Sequence, residues 1–317
     1  MQWSGVPVSA LMELQNLRHG KSETTDNKVA YIFLSPWILG LLGITLIPLI
    51  TSLVLSFTDY RLTRRTYSFI GFENYIDMFH DPLLWQSIKV TLEYVVIATP
   101  FQLAVALLIA VVLNQGMKGL SFYRSVFYLP SLMGSSVAIA LLWAQIFGAQ
   151  GLVPTVLAKL GIIESFDYSF IGDPKTALIT IMILHIWTFG SPMIIFLAGL
   201  RQIPTMYYEA ASVDGANKWT QFWRITMPLL SPIIFFNLVL QIIGAFQSFT
   251  QAYIVSNGRG GPVDSTLFYS LYIYQIGFTN KFQMGYASAM AWLLVIIVVI
   301  FTVIAFTTSK YWVFYED

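Results

Sequence analysis

Six uninterrupted apolar blocks, at roughly 31–57, 90–113, 126–147, 176–198, 229–255 and 287–308, limit what this chain can fold into more than any other feature. Each exceeds the ~20 residues that a helix rising ~1.5 Å per residue needs to cross a ~30 Å hydrocarbon core. Lipid offers no partner to a backbone N–H or C=O, which leaves helices and closed barrels as spanning structures. Barrel strands alternate in polarity over about ten residues. These blocks are continuously apolar, so an all-α integral membrane protein with six transmembrane helices is predicted. Composition agrees, with 56% apolar and 10% charged residues against about 25% charged in a soluble domain.

The first block starts near Val29, after a polar segment with Arg18, Lys21, Glu23, Asp26 and Lys28, and no small-residue cleavage site follows it. A retained helix is expected rather than a cleaved signal. Residues 8–18 carry a weak amphipathic pattern (Val8, Leu11, Met12, Leu14, Leu17) that suits either a helix along the membrane or a disordered tail.

Several chemistries drop out. There is no cysteine, hence no disulfide or thiolate metal site. His19, His80 and His185 are too scattered for a metal cluster, and a net charge of +1 argues against a nucleic-acid surface. Gly20-Lys21-Ser22 ends like a phosphate-binding loop, but Gln15 stands where that pattern needs glycine and no apolar strand precedes it. Within the blocks, the ionisable groups are Glu93 near the start of the second and His185 in the fourth. His185 is expected to hydrogen-bond a neighbouring helix, with pore lining as the alternative. Proton-coupled carriers and membrane hydrolases usually need such groups at depth. The driving energy is therefore expected to come from a partner.

Between the fourth and fifth blocks lies a polar, helix-patterned loop, 201–228. Pro204 suits a first turn, Glu209, Ala210 and Ala211 are helix formers, and Gly215 readily closes a helix in the left-handed conformation. A helix of about ten residues is predicted. Asn217 is then expected to cap a second short helix through Arg224, with Pro228 and Pro232 marking the start of the fifth block.

The spacing of Glu209, Ala210, Ala211, Gly215, Ile225 and Pro228 resembles the cytoplasmic signature of the permease subunits of bacterial ABC importers. Gly71-Phe72-Glu73-Asn74-Tyr75, Asp81-Pro82 and Trp85 resemble the external segment after the first span in the maltose-type, carbohydrate branch. Arg124, Phe127, Leu129 and Pro130 look like the start of that branch's third span. Phe246, Phe249, Gly260-Gly261-Pro262, Ser265-Thr266, Tyr274, Phe278 and Gly285-Tyr286-Ala287-Ser288-Ala289 resemble its fifth-to-sixth connection. Taken alone, Gly260-Gly261-Pro262 reads as a turn, and Asn74 and Tyr75 as a cap and packing for an outer helix. Two departures fall on the expected outer face: Asn257-Gly258-Arg259 lengthens the glycine loop, and Pro154 stands where many relatives have Asn.

The resemblance implies a type I permease fold over 31–310, flanked by cytoplasmic segments 1–30 and 311–317. It makes the first loop helix a coupling helix seated in a cleft of the ATP-hydrolysing subunit, with contacts from Tyr208, Glu209, Ala210, Ala211, Asp214 and Gly215. It also implies a bacterial inner-membrane importer of a sugar or oligosaccharide. The partners would be a second homologous permease, two ATPase subunits and an extracytoplasmic solute-binding protein. ATP and Mg would sit on the ATPase subunits, and this chain would bind no cofactor and catalyse no reaction. A permease for another solute, an ion-coupled secondary transporter and a membrane enzyme are the competing readings.

Charge leaves orientation open. With the N-terminus inside, nine of the 17 basic residues fall inside (Arg18, Lys21, Lys28, Lys118, Arg124, Arg201, Lys218, Arg224, Lys310) and eight outside. The resemblance requires loop 201–228 to face ATP, which puts both termini in the cytoplasm.

Aromatic faces and neutral hydrogen-bonding groups bind sugars, and the mid-depth neutral set is Ser131, Ser135, Trp187, Thr188, Ser191, Asn237, Gln241, Gln247, Ser248 and Gln251. By position in the spans, the resemblance favours Ser131, Ser135, Trp187, Ser191, Gln241 and Ser248 as substrate contacts. Gln241 and Ser248, seven apart, are expected to share one helix face. Each of these side chains suits interhelical hydrogen bonding equally well.

Overall fold

Asp81 and Pro82 start the helix that organises the membrane domain. One Asp81 oxygen accepts the N–H groups of Leu83 (3.0 Å) and Leu84 (3.3 Å), and Pro82, with no N–H to leave unpaired, fills the first turn. The other oxygen accepts the hydroxyls of Tyr272 (2.6 Å) and Tyr286 (3.0 Å), tying this cap to chain 191 and 205 residues later. The helix runs Pro82–Leu113, so the second span begins well before the apolar block does.

The structure, a computed structural model, describes residues 29–64, 66–116, 118–134, 136–164, 167–279 and 281–314. The N-terminal pattern at 8–18 and the candidate Ser135 lie outside them. Five helices among the described residues are long and apolar enough to cross a membrane: Val29–Leu55, Pro82–Leu113, Val137–Lys159, Lys218–Val255 and Met284–Ser309. A pair bent by 40°, Ala177–Trp187 and Gly190–Leu200, supplies the sixth. The first span is a unit by itself, and residues from Ser56 onward form the second.

Two expected boundaries move. The third apolar block is not one helix but two, Leu120–Met133 and Val137–Phe147, so Pro130 lies inside a helix of its own. Gly134 ends the first, and a Cβ there would come within 2.1 Å of Thr188 Cγ2. Ser136 caps the second by accepting from Ile139 N–H at 3.3 Å. The second loop helix does not stop at Arg224. It starts as Lys218–Gln221 and runs through a π-turn, Phe222–Thr226, into Met227–Phe246. The wider turn, closed by Met227 N–H on the Phe222 carbonyl, accommodates Pro228 directly after it, which has no N–H for an i→i−4 bond.

The second unit has two apolar cores. One joins Val90, Tyr94, Val95 and Ala98 of the second span to Ile181, Met182, Phe246, Phe268, Tyr269 and Met290. The other joins Leu103, Ala106, Ala110 and Leu113 to Met193, Phe196, Leu197, Leu200 and Leu230. Between them on the second span stand Thr99 and Gln102, both buried, opposite the break in the fourth span.

Candidate functional site

Two regions carry the residues singled out above. The first is the loop. Its helix is Thr205–Val213, preceded by Pro204 in extended conformation (ψ 133°). It ends with the Gly215 N–H on the Ser212 carbonyl (3.1 Å) and the Ala216 N–H on the Ala211 carbonyl (2.9 Å), with Gly215 at φ +80°. This is the paired-bond closure that requires a left-handed residue. A Cβ at Gly215 would meet nothing within 4 Å, so backbone angle, not close approach, is what glycine supplies here.

Side chains fix this helix to the next. The Tyr208 hydroxyl pairs with Thr226 Oγ1 (2.9 Å), and Gln221 Nε2 donates to Ser212 Oγ (2.9 Å) and the Ala216 carbonyl (3.1 Å). Asn217 Oδ1 accepts from Thr220 N–H at 2.8 Å, the expected cap. The six residues assigned to coupling therefore divide. Tyr208 and Ala211 are half-buried and hold the loop, whereas Glu209, Ala210, Asp214 and Gly215 are exposed. Met206 (64% exposed) and Val213 (89%) join Glu209 and Ala210 in a stripe spaced by three and four residues. Sequence reasoning passed over both, although their spacing of seven was available.

The second region lies where three helix breaks meet. The fourth span breaks at Thr188–Phe189, between Trp187 and Gly190. Ser131 Oγ donates to the Thr188 carbonyl (2.8 Å) and accepts the Ser191 N–H (2.8 Å). Gln102 Nε2 reaches the His185 carbonyl (3.0 Å), the Thr188 carbonyl (3.2 Å) and Thr188 Oγ1 (3.0 Å). The fifth span breaks after Phe246, and Gln251 Nε2 returns to the Gly134 carbonyl of the third-span break at 3.1 Å. Trp187 lies 5.8 Å from Trp143, whose indole N–H donates to the Thr180 carbonyl at 3.0 Å.

The structure thus brings Ser131, Trp187, Ser191 and Ser248 to one junction and leaves Gln241 out of its hydrogen bonds. Ser131 spends its hydroxyl on helix packing, and Asn237, fully buried, turns its amide Nδ2 back to the Ile233 carbonyl of its own helix (3.1 Å). Gln241 and Ser248 do not share a helix. The turn tightens through Gln247 N–H on Gly244 (3.2 Å) and Ser248 N–H on Ala245 (3.1 Å), and the Ser270 hydroxyl takes the Ser248 carbonyl. Ser191 keeps an exposed side chain; Ser248 Oγ contacts Gln251 Oε1 at 3.4 Å. His185 meets the second span through its backbone carbonyl, which accepts from Gln102, and not through its ring: the ring stands edge-on to Tyr94 at 5.2 Å and its Nε2 is buried without a partner. Gln102 and Pro192 were missed, and the signal for both was plain: a Gln and a Pro inside apolar blocks. Asn74 also serves structure, donating to the carbonyls of Ser56 (2.8 Å) and Thr58 (2.9 Å).

Apolar spans, a rigid polar loop before the fifth, and broken helices meeting at one junction define a membrane permease of the type I ABC importer fold. The fold is shared with a bacterial alginate ABC transporter solved in complex with an alginate pentasaccharide-bound periplasmic protein (TM-score 0.78, 22% identity, covering 91% of this chain and 96% of that one). The chain belongs to the family of binding-protein-dependent transport system inner membrane components, which matches over residues 90–311. It is 51% identical over 302 residues to the probable ABC transporter permease protein YesP of Bacillus subtilis, covering 95% of this chain and 96% of that one. It is 32% identical over 282 residues to the lactose transport system permease protein LacF of Rhizobium radiobacter, covering 88% and 93%.

Proposed function

We propose that the chain is the permease subunit of an ATP-driven importer for a sugar or oligosaccharide, forming half of the translocation path. It pairs with a second related permease, two ATPase subunits that hold ATP and Mg, and an extracytoplasmic solute-binding protein. The observation that carries this reading is the loop helix Thr205–Val213. It is locked to its neighbour by Tyr208 and Gln221, and it turns Met206, Glu209, Ala210 and Val213 outward. An exposed stripe of Met206, Ala210 and Val213 beside the Glu209 carboxylate, on a helix tied to its neighbour, suits a partner cleft. The sugar class is supported by the lactose permease among the relatives and by Trp187 and Ser191 at the junction.

Membrane domain 31–310 then has both termini in the cytoplasm, with 1–30 and 311–317 flanking it. Closure of the ATPase pair moves the coupling helices together and turns the path outward. Copurification with mass spectrometry, followed by uptake in vesicles energised by ATP alone, tests the assignment. Recovery of an ATPase and a second permease with ATP-dependent sugar uptake is expected. Uptake driven by an ion gradient without an ATPase would overturn it. Orientation is read from Val213→Cys in this cysteine-free chain: labelling from outside intact cells would reverse it.

A further inference from the structure

The break in the fourth span has a covalent cause. In a continuous helix the Thr188 carbonyl would accept the N–H of residue 192, but residue 192 is proline and has none. The freed carbonyl is taken by side chains from two other helices, Ser131 Oγ of Leu120–Met133 at 2.8 Å and Gln102 Nε2 of the second span at 3.2 Å. Gln102 also holds the carbonyl of His185 at 3.0 Å, so one buried amide fixes the end of the upper half-helix and the first residue of the gap, while Ser131 Oγ bridges from the Thr188 carbonyl to the Ser191 N–H of the lower half-helix. Its Nε2 has two hydrogens and three acceptors in reach. The lower half-helix Gly190–Leu200 runs straight into the loop that carries Thr205–Val213.

We propose that Thr188–Phe189 is the hinge through which movement of the coupling loop reaches the transport path, and that Gln102 is its positioning residue. Pro192 creates the hinge by deleting one helical hydrogen bond. Gln102 sets the bend by fixing the upper edge of the gap at His185 and Thr188, against the Ser131 bridge to Ser191 on the lower side. Three atoms beside it are buried without a partner in this arrangement, Thr99 Oγ1, Gln102 Oε1 and His185 Nε2. They are the donors and acceptors from which a second setting of the turn is built, because a buried polar atom left alone is costly and a changed bend brings it new neighbours. Trp187 and Ser191 flank the hinge, so a change of bend moves both relative to Trp143 and Ser131. The proposal rests on the importer reading for its source of motion.

The test uses the complete transporter, reconstituted with its partner permease, ATPase pair and binding protein. Spin labels on Ile179→Cys and Ala198→Cys, one in each half-helix and both at exposed positions, report the bend. A change in their separation between the nucleotide-free and vanadate-trapped states is expected. Pro192→Ala restores the N–H and should lengthen the separation and suppress the change. Gln102→Met, similar in shape without the amide, should lower sugar moved per ATP hydrolysed about tenfold while ATP turnover persists. The double variant should be no worse than Pro192→Ala alone, since the pin then has no free carbonyl to hold. If Gln102→Met does not assemble, Thr188→Val, which removes one of its acceptors, carries the same comparison with a smaller effect. An unchanged separation in the two states, wild-type yield per ATP in Gln102→Met, or additive losses would overturn the hinge. Failure of the importer reading looks different: no ATP-dependent uptake by the unaltered chain.

Discussion

The coupling loop and the junction of broken helices are built from the same kinds of bond over different lengths of chain. In the loop, Tyr208 and Thr226 are 18 residues apart, and Gln221 and Ser212 only nine. At the junction, Ser131 and Thr188 are 57 apart, Gln102 and Thr188 86, and Gln251 and Gly134 117. A loop that closes on itself keeps its shape whatever it docks against. A junction assembled from four segments, the second to the fifth, holds its shape only while all four stay in register, and it can change shape when one of them moves.

The largest effect that would sharpen this contrast is a glycine substitution at the junction. A Cβ at Gly190 would come within 2.4 Å of the Phe127 carbonyl oxygen and 2.7 Å of Tyr128 Cα. Gly190→Ala should therefore cost about 1–3 kcal/mol through overpacking, against backbone that has no rotamer to yield. A marked fall in melting temperature and folded yield is expected, and an unchanged melt would mean that the two helices separate freely.

Gly215→Val makes the complementary case. Nothing crowds Gly215, so the cost is local strain of about 1–3 kcal/mol at φ +80°. The six spans should insert and melt as in the parent, while ATPase copurification and uptake are lost. Normal uptake in this variant would remove the rigid loop from the argument.

Tyr208→Phe should be milder, about 1 kcal/mol for one hydrogen bond to Thr226. Combined with Thr226→Val it should add little, which a double-mutant cycle on ATPase affinity reads directly.

The smallest effect lies in the turn 167–176, outside the spans. The Tyr168 hydroxyl, and then the Lys175 N–H (2.9 Å), hold the Asp173 carboxyl below the ordinary carboxylate range. A depressed carboxylate stabilises the fold above its unfolded value and stops doing so as pH falls through the folded one. Hydrogen exchange across this turn should therefore rise only below about pH 4. Asp173→Asn should show raised exchange at neutral pH with no acid step, and an acid step in that variant would assign the titration to another group.

What could be read from sequence follows the same division. The six spans were legible because apolar length is a local property, and loop 201–228 because caps and turn glycines act within a few residues. The boundary errors have local causes that were weighed wrongly. A second loop helix ending at Arg224, with Pro228 starting the next block, is the expectation, whereas the π-turn at Phe222–Thr226 joins the two into one helix. Gln241 and Ser248 were put on one face by a spacing that holds only if the helix continues, and it ends at Phe246. That Ser131 suits interhelical hydrogen bonding was legible, but not which carbonyl it would meet. Nothing near residue 131 announces that a carbonyl 57 residues later will lack its donor.

Pro192 also bears on how the chain enters the bilayer. A helix with an unmet carbonyl is a poor guest for lipid, where each unsatisfied backbone group costs several kcal/mol. The donors that meet it, Gln102 and Ser131, lie earlier in the chain and are made first. The fourth span therefore arrives in a membrane that already holds its missing partners. Synthesis order gives this permease a template: the segment with the defect is inserted only after the segments that repair it.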